Sequence, residues 1–289
     1  MTATTLSQEG FSRPGSGGGL INALKNPFLL KLLVRKELRV RYRGSVLGML
    51  WSYVKPGVQF LVFYFAVGVF MRMNQAVENF AVYLFSGIVV VNFFSEAFRN
   101  ATKAIVDNSP LVKKIYLPRE LFCISSLWVA AIHFFPQVVV LMLGALIMGW
   151  RPGPLNILAG LAGFVIIAVF VLGLGLLFGA VNVILRDAEN LVDLINMVIS
   201  WTSPILYHWD FVVRAIGSGT MWVVYQLNPI TPVVELFHYC FWAPTSGVTY
   251  AMPPGMIKFS LIAAGISAFT LLIGELVFQK LDGRFAQEL

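Results

Sequence analysis

Three observations predict an all-α integral membrane fold. Of 289 residues, 58% are hydrophobic and 12% charged, with a mean hydropathy of +0.78. The apolar residues gather in runs near the about 20 needed for a helix to cross a hydrocarbon core about 30 Å thick. Lysine and arginine collect between alternate runs, the bias that orients membrane proteins. The formal charge of +7 would suggest nucleic acid in a soluble chain, but here it serves orientation, and no nucleic-acid partner is expected. So many Phe, Trp and Leu exclude a collagen-like, disulfide-framework or disordered chain. Cys123 and Cys240 are expected on opposite membrane faces, with no bridge between them.

Residues 1–26 read as a flexible cytoplasmic tail: they hold the run Gly15, Ser16, Gly17, Gly18, Gly19 and no continuous apolar core of a secretory signal. Residues 27–45 read as an amphipathic interface helix, with Asn26 as N-cap and Pro27 in its first turn. At 100° per residue, Lys31, Arg35, Lys36, Arg39 and Arg43 share an arc of about 140°, opposite Leu29, Leu30, Leu33, Val34, Leu38 and Val40. Glu37 and Arg41 fall on the apolar side and mark a protein contact; the simpler alternative is a positive-inside flank.

Residues 46–280 read as one domain of six spans: 57–71, with a start as early as Val46, then 80–98, 121–149, 155–185, 191–206 and 257–278. The fifth ends at Pro204, and the apolar linker after it is expected to hold external re-entrant helices, one capped by Thr231. Residues 281–289 form a C-terminal tail. Lys25, Lys31 to Arg43, Arg99, Lys103, Lys113, Lys114, Arg119, Arg186, Lys280 and Arg284 fall on one side, against Arg72, Arg151, Arg214 and Lys258 on the other. Both termini are therefore expected in the cytoplasm.

Within the second cytoplasmic connection, Asn108, Ser109, Pro110, Leu111, Val112, Lys113, Lys114, Ile115 and Tyr116 spell a helix of about two turns, stopped by Pro118. A helix this short needs a partner for Leu111, Val112, Ile115 and Tyr116: either the subunit's own membrane base or another protein, with a docking knob favoured over a plain connector. Arg186, Asp187, Glu189 and Asp193 form either a charged hinge with exchanging pairs or a solvated turn. Glu275 is expected to be neutral, paired or beside water, because a charge at the bilayer centre costs about 2.5–3.5 kcal/mol on insertion scales. His133 is its candidate deep titratable partner. Tyr53, Phe60, Phe63 and Tyr64 recur near one face of the first span, and Trp201 and Tyr207 gather near the fifth. Such aromatics suit sugar rings as well as interfacial belts and lipid contact. Gly175 and Gly179 make a small-xxx-small step for close helix packing.

The chain contains no G-x-x-x-x-G-K-[ST] phosphate loop, no metal-spaced His or Cys cluster and no G-x-S-x-G elbow. It is read as a transport subunit rather than an enzyme. An ion-coupled carrier using Glu275 and His133, or a membrane-bound glycan transferase, are the alternatives.

Three segments together resemble the type-2 ABC exporter permease family, in the branch that moves O-antigen, teichoic acid and cell-wall galactan. They are RVRYRGSVLGMLWSYVKP at 39–56, NSPLVKKIYLPRE at 108–120, and Arg186–Asp187 taken with SPILY at 203–207 and NPITP at 228–232. The resemblance implies a homodimer in a bacterial inner membrane, associated with two copies of a separate ATPase that holds ATP and Mg. It implies that residues 108–116 transmit ATP-driven closure, and that an undecaprenyl-linked polysaccharide passes between the two halves. Spans one and five would line that path, with Tyr53, Phe60, Phe63, Tyr64, Trp201 and Tyr207 as sugar-stacking candidates.

Overall fold

In the computed structural model, which describes residues 19–114, 117–246 and 252–289, the chain is a helical bundle, with no strand among the described residues. Five helices are long and apolar enough to cross a membrane: Gly48–Phe70, Phe80–Asp107, Glu120–Ile147, Pro154–Ile184 and Met256–Asp282. Together they make the chain a multi-pass membrane protein. The first comprises a short 3-10 turn, helix α3 (Trp51–Phe63) and a π-helical end at Tyr64–Phe70. The others are α5, α7, α8 and α13 in chain order. Ahead of the first lie α1 (Gly19–Leu24) and α2 (Pro27–Arg41), and between the long helices lie α4 (Met73–Ala76), α6 (Ser109–Lys114), α9 (Ala188–Thr202), α10 (Trp209–Ile216), α11 (Thr220–Gln226) and α12 (Ile230–Phe237). α14 (Phe285–Glu288) ends the chain.

Four sequence expectations change. α9 ends at Thr202 and has 15 residues, roughly 22 Å of helix, short of a hydrocarbon core of about 30 Å. Ser203 is extended ahead of Pro204, which stops the helix. Of the expected tail, residues 19–24 are helix α1, whose Leu20 N–H donates to Glu275 Oε1 at 2.8 Å and whose Ala23 is fully buried; residues 1–18 lie outside the described residues. The amphipathic helix stops at Arg41, four residues early, and Asn26 sits at its N-cap while its amide donates to Asn22 O. α12 starts at Ile230, whose N–H is bonded by Asn228 Oδ1, so Thr231 lies inside the helix rather than at its cap.

α5 is the central helix, buried on most of its surface by α7, α8, α9 and α12. Its Phe93 and Phe94 meet Phe134, Phe164 and Phe170 in one apolar cluster, which also takes in α12 and Cys240. A second cluster at the basic end joins α1, α2, α6 and the end of α13, and contains Cys123. The two cysteines are thus free and buried in separate clusters.

Lipid tails give helices no hydrophobic reason to associate, so close packing of small residues holds them. A Cβ on Gly175 would lie 2.5 Å from Ala101 Cβ on α5, and one on Gly173 would lie 2.5 Å from the Leu271 nitrogen on α13. Gly274 on α13 packs directly on the Gly173 carbonyl. The close-packed glycine stripe thus includes Gly173 as well as the Gly175–Gly179 step, and it joins α8 to two helices.

α2 lies against α7 through buried Leu33, with Lys31, Arg35, Lys36 and Arg39 exposed. The off-pattern Glu37 accepts a hydrogen bond from Ser125 Oγ at 3.2 Å. Burial holds the Glu37 carboxyl above the usual range, offset by the Ser125 bond and by the charges of Arg41 and Lys36.

Two outcomes follow. Gly274→Ala is expected to cost about 1–3 kcal/mol in detergent unfolding, whereas Gly265→Ala, with nothing within 4 Å of its new Cβ, is expected to be neutral or slightly stabilising. For Glu37, a raised folded pKa means the native state favours the protonated form. Stability is lost as pH rises above the ordinary glutamate range and ionisation is forced on a buried group. The Glu37→Gln variant is therefore expected to gain thermal stability over the parent as pH rises from acidic to neutral, and equal stability at both pH values would refute this.

Candidate substrate cavity and coupling base

Helices α3 and α5 carry polar residues at helical spacing within apolar sequence: Ser52, Lys55 and Gln59 on α3, and Asn92, Glu96 and Arg99 on α5. These two stripes face each other across a cavity of about 520 Å³, closed by Arg41 and Tyr42 at the end of α2 and by Gln137 on α7. Three cations, Arg41, Lys55 and Arg99, line it with one carboxylate, Glu96.

Glu96 is the hub. Its Oε1 pairs with Arg41 Nη1 and lies 2.7 Å from His133 Nδ1. His133 Nε2 lies 2.8 Å from the Tyr42 hydroxyl, which also hydrogen-bonds Ser52 Oγ. Four helices are thereby joined by one polar network, in which His133 is fully buried. The amide nitrogens of Asn92 and Asn100 and the amide oxygen of Gln137 are buried here with no protein partner. They leave donors and an acceptor for hydroxyl-bearing cargo or water.

A second, apolar cavity of about 330 Å³ continues from the first and shares Pro56 and Gln137 with it. Proline shapes that junction: Pro56 withdraws an N–H from α3, and Gln137 follows Pro136 inside α7. Tyr53 and Phe60 line the second cavity. Phe63 and Tyr64 instead pack on the protein core, Tyr64 stacking on Phe80 at 6.4 Å. Trp201 is 64% exposed on α9, and its carbonyl accepts from the Tyr207 hydroxyl at 3.2 Å. Within one protomer, then, the six aromatic candidates divide into two cavity-lining residues, two packing residues and a separate pair on and beyond α9.

The break after α9 is secured from α5. The Tyr83 hydroxyl sits 3.0 Å from Pro204 O and 2.7 Å from Tyr207 O, carbonyls that no helix satisfies. Ile205 packs on Gly87.

Of the gating candidates, Asp193 pairs with Arg99 at 2.8 Å, and neighbouring Glu189 pairs with Lys103 at 2.8 Å, so both bonds tie α9 to α5. Arg186 and Asp187 are exposed in the turn before α9. Glu275 accepts from Leu20 N–H and from Gln279 Nε2, and therefore anchors α1. It does not meet His133, whose ring nitrogens are engaged by Glu96 and Tyr42, and this removes the pairing on which an ion-coupled carrier was built. Among the described residues, no group of three His, Cys, Asp or Glu is placed to hold a metal.

At the basic end, α6 forms where expected. Val112 is buried in the cluster with Leu33 and Ile105, and Leu111 packs beside it, so both apolar side chains contact the subunit's own base. Pro110, Lys113 and Lys114 remain exposed. Ile115 and Tyr116 lie outside the described residues. Asn108, before α6, accepts from Lys36 Nζ and donates to Ala104 O. Lys36 of the basic stripe thereby ties α2 to α6.

The Glu96 hub makes a direct prediction. Glu96→Gln is expected to cost about 1–3 kcal/mol, because it strips the carboxylate from partly buried Arg41 and buried His133. The Arg41→Leu/Glu96→Leu double variant is expected to lose less than the sum of its two singles in detergent unfolding; strict additivity would mean the pair is not coupled.

Three related proteins align with nearly the whole chain. The O-antigen export system permease protein RfbA of Klebsiella pneumoniae is 27% identical over 265 residues, covering 90% of this chain and 94% of its own. The Myxococcus xanthus protein of the same name is 26% identical, covering 90% and 95%. The polysialic acid transport protein KpsM of Escherichia coli is 22% identical, covering 84% and 88%. The ABC-2 type transporter family model matches residues 29–242, from α2 through α12, a stretch that contains the cavity, α6 and the α9 break, and the chain therefore belongs to the ABC-2 type transporter family.

Proposed function

We propose that this chain is the permease subunit of an ATP-driven exporter that moves an undecaprenyl-linked cell-envelope polysaccharide, such as a galactan, out across a bacterial inner membrane. Two copies enclose the path, and two copies of a separate nucleotide-binding subunit bind ATP and Mg. The relatives named for O-antigen and polysialic acid support the cargo class.

The carrying observation is the cavity between α3 and α5. Of its three cations, Arg41 and Arg99 are held by Glu96 and Asp193, and Lys55, with no ion pair among the described residues, suits a phosphate-bearing carrier lipid; the cavity's unpartnered amides suit sugar hydroxyls. The adjoining apolar cavity, with Tyr53 and Phe60, suits the faces of sugar rings. α3 is exposed along nearly its whole length within the protomer, and α9 presents Leu191, Leu194, Met197, Val198 and Trp201 outward. A second copy placed on these faces closes the cavity from its open side and brings Trp201 and Tyr207 toward the path. In this reading, α9 with residues 203–206 provides a sixth crossing, the termini and α6 lie in the cytoplasm, α2 lies along the interface, and α10 to α12 form the outer rim as interfacial or re-entrant helices. Arg99–Asp193 and Lys103–Glu189, the pairs between α5 and α9, are placed to exchange as α9 moves.

Because Leu111 and Val112 are used internally, the ATPase is met by the exposed Pro110, Lys113 and Lys114. Purification from native membranes is expected to recover an ATPase subunit in equal amount. The Lys113→Glu/Lys114→Glu variant is expected to lower its affinity about tenfold while leaving membrane insertion and unfolding temperature intact. Recovery of the permease alone, moving its glycan at full rate without ATP, would overturn the proposal.

A further inference from the structure

The segment that carries α6 enters α7 through Leu117, Pro118 and Arg119, and Arg119 is gripped by the end of the last long helix. Arg119 Nη1 donates to Asp282 Oδ1 at 2.8 Å and to the Asp282 carbonyl, one of the terminal carbonyls that α13 leaves without an intrahelical partner. The guanidinium lies 5.7 Å from the centroid of Phe285 on α14. Phe285 is fully buried, edge-on to Phe278 at 5.3 Å, and belongs to the apolar cluster that holds Val112 of α6.

An exposed ion pair would be worth little and would yield under load. Here the two side chains are only 14% and 6% exposed, so separating them leaves uncompensated charge. Two turns earlier on α13, the Glu275 carboxylate holds α1 by accepting the Leu20 N–H at 2.8 Å. The C-terminal end of α13 is therefore a fixed point to which both the chain's first described helix and the α6 segment are fastened.

We propose that Arg119, Asp282 and Phe285 form a clamp that makes α6 and α13 move as one body. Force received at α6 then passes to the last span and, through the Gly173–Gly274 contact, to α8. These three are positioning residues, and residues 283–289 act as a structural wedge rather than a loose tail. The inference rests on the proposed reading of α6 as the contact for a separate ATPase.

The test uses the permease–ATPase complex in nanodiscs, spin-labelled at cysteines introduced at Ser109 on α6, outside the ATPase contact named above, and at exposed Gln287, with Ser109 and exposed Asn190 as the comparison pair. On trapping with ATP and vanadate, the 109–287 distance distribution is expected to stay in place while the 109–190 distribution shifts. Asp282→Asn and Phe285→Ala are expected to release the first pair and lower glycan moved per ATP about tenfold with the complex still assembled; Phe285→Leu is expected to restore it. If either loss variant fails to assemble, the reversed pair Arg119→Asp/Asp282→Arg is expected to restore assembly and coupling. A shift of the 109–287 distance in the parent complex overturns the clamp, as does full transport per ATP in the assembled loss variants or failure of the reversed pair. If neither pair responds to ATP, the ATPase reading falls and takes the clamp with it.

Discussion

Inside hydrocarbon a polar group has no water to fall back on, and the architecture of this chain depends on that constraint. Its polar side chains have to find one another or gather on one wall. Glu96 unites Arg41 and His133, and through His133 reaches Tyr42. Where Pro204 follows the end of α9, carbonyls left without a helical partner accept from Tyr83 on the central helix. Since the Tyr83 hydroxyl has one proton, it can serve Pro204 O or Tyr207 O at a given moment, which ties the α9 break to α5 without fixing a single geometry. The same constraint collects Lys55, Gln59, Asn92 and Arg99 around one cavity rather than scattering them toward lipid.

A second consequence is an unequal division of packing. α5, α7, α8 and α13 are drawn together by glycine and alanine contacts and by interlocked phenylalanines. By contrast, α3 is barely covered, and α9 meets α5 through a narrow strip of Val192 and Asn196 reinforced by two ion pairs. Exposed ion pairs of this kind are worth little each and can be exchanged at low cost. The chain thus combines a tightly packed core with two less covered helices, α3 and α9, while α7, α8 and α13 also turn apolar residues such as Val140, Leu161 and Leu272 outward. That distribution suits a subunit that moves along one side while keeping the other rigid.

Much of this is legible in the sequence. Hydropathy places the ends of α7 and α8 within about two residues, because the transition from apolar run to Gly, Pro or charge is abrupt there. It overestimates the fifth span, because an apolar run does not stop where a helix does: Ile205 and Leu206 continue the run past the extended Ser203. The polar spacing of Ser52, Lys55 and Gln59, and of Asn92, Glu96 and Arg99, is visible as a period, yet a period names a face and not the face opposite. For this reason the sequence pairs His133 with Glu275 when its neighbour is Glu96. Leu111 and Val112 are expected to pack against either the subunit's own base or, as favoured, another protein, and the subunit's own base covers them; an apolar pair cannot say whose surface will do so. The role of Phe285 is hidden for a different reason: four helical residues after a glycine look like an ordinary tail until the ring is seen between Arg119 and Phe278.

The off-pattern residues of α2 carry the last step. A purely interfacial helix needs one charged and one apolar face, and Glu37 and Arg41 violate that division. Each violation is a contact with the bundle, to Ser125 and Glu96 respectively, while Lys36 on the charged face reaches Asn108 at the start of α6. Lys36 and Arg41 lie five residues apart on one continuous helix, a separation of about 7.5 Å along its axis. Asn108 is also the C-cap of α5, the helix that carries Glu96, so α2 and α5 both bridge the start of α6 and the hub of the cavity. In the proposed exporter, α2 therefore links the ATPase contact to the cargo site, while the Arg119 clamp carries the same motion to the far side of the bundle. The sequence irregularity and the hold on the bundle are one feature, since a helix obeying its amphipathic pattern throughout would keep Lys36 on Asn108 but lose the contacts to Ser125 and Glu96.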